Sequence, residues 1–85
     1  MRKDLIGYAN IFTAATNHID EVMNSGADKH PDDFWKTLPI EEHLRRADVH
    51  WELYKAGGDE NESADVHLDH HLVRVCMIIQ LLSEK

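Results

Sequence analysis

Eighty-five residues suffice for one domain, and at that length a single, thinly covered hydrophobic core is expected. Apolar residues make up 42% of the chain and charged residues 29%, a balance that excludes a disordered tail or a membrane-embedded segment as its main character. Sixteen Asp and Glu against nine Lys and Arg give a formal charge of -7 with no basic stripe to offset it, which excludes a nucleic-acid polymer as the partner.

From about Gly7 to Met23 the apolar residues fall at Tyr8, Ile11, Phe12, Ala15, Ile19, Val22 and Met23, the spacing of a helix with one face turned inward. Asn24-Ser25-Gly26 supplies residues that favour turns, so this first helix is expected to stop there, over about 7–24. An irregular connection follows through His30-Pro31-Asp32-Asp33. Phe34, Trp35 and Leu38 then predict a segment pinned back onto the core.

Pro39 suits the first turn of a second helix, expected over about 39–56, because its missing amide hydrogen is not needed there. Its core stripe reads Ile40, Leu44, Ala47, Trp51 and Tyr54, while Glu41-Arg45 and Glu42-Arg46 place opposite charges four residues apart. Gly57-Gly58 stops it, and Asp59, Asn61 and Ser63 are candidate caps for a third helix over about 63–83. Leu68, Leu72, Val75, Ile79 and Leu82 form the expected core face of that helix, widened by Ile78 and Leu81 near its end. The predicted fold is all-α: one compact three-helix domain spanning 1–85, with a second copy completing a larger bundle.

The longest apolar run, Val75 to Ile79 with Leu81 and Leu82, is too short to cross a bilayer, and Met1-Arg2-Lys3-Asp4 does not begin a signal peptide. The single cysteine, Cys76, lies in an apolar helical run as an ordinary buried thiol. A cytoplasmic location is the expectation.

Seven histidines carry the functional signal through their positions. His43 and His50 share one helix face beside the apolar stripe, and His67, His70, His71 and Arg74 recur at helical spacing on the next helix. If these two helices pack antiparallel across the short 57–63 connection, His50 comes near His67, with Asp59 and Glu62 close by. Imidazole and carboxylate groups together suit a divalent cation such as manganese, iron, nickel or zinc, although no HExxH or paired CxxC signature is present. Such a cation inverts the local field around phosphates, so the negative charge leaves a nucleotide ligand admissible.

Asp59 and Glu62 can serve as helix caps, ligands or both, and Arg74 as an ion-pair partner or a phosphate contact. Asp65 and Asp69 point away from the histidine seam and are read as structural, as are His18 and His30. Trp35, Trp51 and Tyr54 are core candidates, with Trp35 able to stack on a nucleobase if its ring is accessible.

The order of segments resembles a phage and bacterial family, the N-terminal domains of dATP/dGTP diphosphohydrolases, similar in style to all-helical MazG-like nucleotide pyrophosphohydrolases. The resemblance rests on Arg2-Lys3-Asp4-Leu5-Ile6, Gly26-Ala27-Asp28-Lys29-His30 and Phe34-Trp35, and most strongly on Leu44-Arg45-Arg46-Ala47, His50-Trp51, Gly58-Asp59-Glu60, Glu62-Ser63, His67-Leu68 and His70. It implies a metal-dependent enzyme cleaving a deoxypurine nucleoside triphosphate to its monophosphate and pyrophosphate. It nominates His50, His67, His70, Asp59 and Glu62 to hold magnesium, manganese or another transition metal. Glu62, Asp59 and His70 become the catalytic candidates, and Lys29 and Arg74 the phosphate contacts. His30, Arg74 and the lack of the full ExxE plus ExxD set depart from the pattern of these relatives. The alternative is a phage-encoded interaction or inhibitor protein, binding a host protein through its acidic surface and the Phe34-Trp35-Leu38 segment.

Overall fold

The computed structural model describes residues 11–27, 31 and 33–85. Helix α1 runs Thr13–Ala27, a single 3-10 turn covers Phe34–Thr37, and helices α2 and α3 run Ile40–Lys55 and Ala64–Ser83. The domain is all-α and three-helical, and among the described residues no helix is long and apolar enough to cross a membrane. The expected start of helix one, near Gly7, and Tyr8 on its face lie outside the described residues.

The end of helix one differs from the expectation. Asn24, Ser25 and Gly26 do not stop α1, which continues to Ala27. Low propensity at three residues is a weak cost that a helix already nucleated absorbs, and no strained backbone at Gly26 demands a stop. Ala15, Ile19, Val22 and Met23 form the half-buried face of α1, and this helix lies against α3 rather than α2.

The α2–α3 connection is built by its glycines. Gly57 (φ 91°) donates to Tyr54 O at 3.1 Å, and Gly58 (φ 98°) donates to Leu53 O at 2.8 Å, the two reciprocal bonds that close a helix through a left-handed turn. A Cβ at Gly58 would stand 2.7 Å from the Ala64 amide nitrogen, so the turn tolerates no side chain there. Asp59 N donates to Glu62 O at 2.9 Å, and the Ser63 hydroxyl then caps α3 by accepting from Val66 N. Pro39 stands just before α2 and accepts from Glu42 N at 3.0 Å. The turn therefore returns the chain tightly enough to pack α3 antiparallel on α2.

That packing corrects the expected core. Leu44 is 53% exposed, Trp51 39%, Ile79 58% and Leu82 52%, and Leu68 is exposed with them. The buried side chains among the described residues are Ala47 and Val73 with two imidazoles, His43 and His67. Both helices are turned so that the histidine edge, not the centre of the aliphatic stripe, faces inward. The reason is that the buried His43 and the half-buried His71 meet polar partners there. His43 lies between the Trp35 carbonyl and Arg74, and His71 donates from Nδ1 to Ala47 O at 2.8 Å. Trp51 stacks on Tyr54 and tilts against His71 at the exposed edge.

The 3-10 turn is held against α2 and α3 by His43 and by an ion pair from Lys36 to Glu84 at 3.5 Å. Helix α1 is tied to α3 by His18 Nδ1 and Asp69 Oδ1 at 2.8 Å, so Asp69 is a structural partner. The hydrogen bond to Asp69, followed by its charge, raises the His18 pKa above its ordinary value. A raised folded pKa makes the contribution complete below the unfolded value of about 6.5 and removes it as pH rises through the folded value. Melting curves of the protein and of His18→Asn should thus differ slightly in mild acid and converge above the folded pKa. A gap of constant size across that range would refute the assignment; the pair is solvent-exposed, so its effect is small.

Candidate functional site

Three cross-links between α2 and α3 fix the helices' register. As the α2 position moves from His43 to Ala47 to His50, the α3 partner moves back from Arg74 to His71 to His67. This antiparallel progression brings the histidine spacings read in the sequence to one end of the hairpin, beside the 57–63 turn.

There His50 Nδ1 and His67 Nδ1 are 2.9 Å apart, and the His50 ring stacks on that of His70 with centroids 4.9 Å apart. Glu62 lies between two imidazoles: Oε1 is 3.9 Å from His67 Nδ1 and Oε2 is 3.7 Å from His70 Nε2. His50, His67, His70 and Glu62 are thereby neighbours. Burial holds the His50 pKa down at about 4, with His70 and His67 adding to the shift, so its ring keeps lone-pair character at neutral pH.

Asp59 takes a different position. Its Oδ1 accepts from the amides of Glu62 (2.8 Å) and Asn61 (3.0 Å), while Oδ2 faces His67 Nε2 at 3.3 Å. The backbone bond from Glu62 leads the causes that keep its carboxyl below the usual range. His67 is 2% exposed, and its Nε2 is buried without an aligned hydrogen bond. A carboxylate can only accept, so this contact favours a proton on Nε2 and turns the bare Nδ1 toward His50 and Glu62. Asp59 thus sits behind His67, on the opposite side of the ring from the other donors.

The donor chemistry fits a divalent cation of borderline softness. Nitrogen and oxygen ligands at about 2.0–2.2 Å from one ion stand roughly 3.3–3.5 Å from each other, and the cluster's separations fall on either side of that, 2.9 Å from His50 to His67 and 3.7 and 3.9 Å from Glu62 to His70 and His67. The buried His67, backed by a carboxylate at its far nitrogen, has the usual arrangement of a metal-ligating imidazole. Among the described residues, no group of three or more His, Cys, Asp or Glu is placed so that it could hold a metal ion as the side chains stand.

A cavity of about 340 Å³ adjoins the cluster, formed by the end of α1, the 3-10 turn and α3. His70 and Arg74 line it, together with Trp35 and Arg46. Arg74 thus lies beside the cluster, whereas Lys29 lies outside the described residues. Sequence reasoning gave Arg46 only its ion pair with Glu42 and treated His43 as a boundary residue. Their positions against Arg74 follow from the α2–α3 register, which the short Gly57-to-Ser63 connection could have suggested.

The whole chain, residues 1–85, matches a family model described as "dATP/dGTP diphosphohydrolase, N-terminal". No match is found among the curated proteins or the solved structures.

Proposed function

The chain belongs to the dATP/dGTP diphosphohydrolase N-terminal family, and from that premise we propose that it takes part in metal-dependent cleavage of a deoxypurine nucleoside triphosphate to monophosphate and pyrophosphate. The observation that supports this reading is the meeting of His50, His67, His70 and Glu62 at one end of the hairpin, with His70 also walling the cavity that holds Arg74.

A divalent cation held by His50, His67, His70 and Glu62, manganese or another transition metal more readily than magnesium, would polarise phosphate oxygens and lower the pKa of the attacking water. Asp59 orients His67 from behind its ring, in place of the ligand role that the family resemblance assigns it. His70, which lines the cavity, and Glu62, 3.7 Å from its Nε2, are the candidates to accept a proton from water. Arg74 offsets charge on the phosphates, with Lys29 as a second phosphate contact. The exposed stripe through Leu44, Trp51, Ile79 and Leu82 supports pairing of two chains, and we assign the protein to the cytoplasm.

Pyrophosphate and monophosphate release from a panel of nucleoside triphosphates, followed with and without chelator, tests the proposal. Turnover of dATP or dGTP that requires a divalent cation is the expected result. A folded protein inert across the panel with magnesium, manganese, cobalt and zinc would leave a binding role. That second reading, an interaction protein for a host partner, is favoured by the exposure of Phe34 at 39% on a chain of net negative charge.

A further inference from the structure

The cavity wall reverses the charge of the rest of the molecule. In a chain of formal charge -7, the described lining residues include Arg46 and Arg74 and no carboxylate. The nearby counter-charge is already engaged: the two oxygens of Glu42 accept from Arg45 Nε at 2.8 Å, Arg45 Nη2 at 3.0 Å and Arg46 Nε at 2.9 Å. Arg74 is bound instead to an imidazole, with Nη1 2.8 Å from His43 Nδ1. Burial, and after it the like charge of Arg46, lowers the Arg74 pKa. Two guanidiniums close enough to repel, one with no carboxylate bonded to it among the described residues, form a place for an anion.

Arg74 is also held in position. A guanidinium only donates, so His43 Nδ1 accepts and the ring proton sits on Nε2, which donates to Trp35 O at 2.8 Å. His43 is fully buried, so a single rigid link sets Arg74 and the Trp35 backbone relative to each other. The remaining wall is mainly apolar, with Trp35, Met23 and Met77 among its residues and Asn24, Ser25 and His70 as its polar members. A volume of about 340 Å³ lies within the range of small-molecule sites.

We propose that this cavity is a nucleotide subsite, holding a planar base against Trp35 and the methionines while the phosphate bridges Arg46 and Arg74. The inference rests on the nucleotide reading above and extends it from the reacting end to recognition, with Arg46 as a contact that the sequence motifs did not nominate. His70 lines the same cavity, so a phosphate on Arg74 faces the imidazole and Glu62 cluster.

Binding measured without turnover separates the two ideas. In a Trp51→Phe background Trp35 is the remaining tryptophan, and its fluorescence is titrated with 2′-deoxyadenosine 5′-monophosphate, 2′-deoxyadenosine and inorganic phosphate in the presence of chelator. Saturable quenching by the monophosphate is expected, with the nucleoside at least about tenfold weaker and phosphate unable to quench. Arg74→Gln and the more exposed Arg46→Gln should each weaken monophosphate binding by about tenfold, with Arg46→Gln the safer variant for folding. Equal affinity for nucleoside and monophosphate, no saturable quenching, or unchanged affinity in a folded Arg46→Gln protein would overturn the subsite. Quenching without catalysis on any triphosphate would retain the subsite and remove the hydrolase reading. Metal-dependent turnover whose KM is unaltered in both arginine variants would do the reverse.

Discussion

Replacing His43 by leucine is expected to destabilise the domain by about 3–4 kcal/mol, because it removes two buried hydrogen bonds and leaves both partners without a replacement. One partner is the Trp35 carbonyl, which holds the 3-10 turn to α2; the other is the Arg74 guanidinium, which holds α3 to α2. A leucine fills much of the ring's volume, so the loss is polar rather than a cavity effect. A domain of this size has only about 4–13 kcal/mol of total stability. Its melting temperature should therefore fall by on the order of 15–25 °C. His43→Gln can keep the donor to Trp35 and His43→Asn the acceptor for Arg74, so both should fall between leucine and the natural residue. Urea unfolding with an unchanged slope is the appropriate measurement. A leucine variant as stable as the parent would mean that the imidazole link does not organise the fold.

The largest effect on activity is expected at His67. His67→Ala removes the donor nearest both His50 and Glu62, and turnover should drop by about a hundredfold or more. Asp59→Asn leaves all four proposed ligands in place and changes only the group behind the ring, so its loss should be smaller, about 10–100-fold, with weaker metal affinity. The ordering matters more than either value. If Asp59→Asn were the more damaging substitution while both proteins stayed folded, Asp59 would belong among the ligands, as the family resemblance first implied. Metal titration by calorimetry alongside the rate measurements distinguishes that outcome from a general loss of structure, which circular dichroism would reveal.

The histidine cluster was legible in the sequence because it depends on quantities that sequence carries well. Spacings within a helix give faces, and a seven-residue connection with two glycines and caps at 57–63 gives an antiparallel neighbour; together they bring His50 to His67. The rotation of those helices was not legible. Periodicity selected Leu44, Trp51, Leu68, Ile79 and Leu82 as core, while the structure turns the imidazole edge inward. What decides the rotation is the availability of the Trp35 carbonyl and the Arg74 guanidinium to a buried His43. Trp35 belongs to a 3-10 turn whose position over α2 no periodicity specifies. The same gap hid Arg46: its pairing with Glu42 was visible along one helix, but the cavity that it borders needs three further segments to exist.

The outward-facing aliphatic stripe has a consequence for handling the protein. Greasy side chains left in water attract one another, and mutual repulsion among negatively charged molecules is what keeps separate copies apart. Mild acid brings the net charge toward zero, near pH 5.3, and weakens that repulsion without shrinking the oily surface, so colloidal stability should fail there before the helices melt.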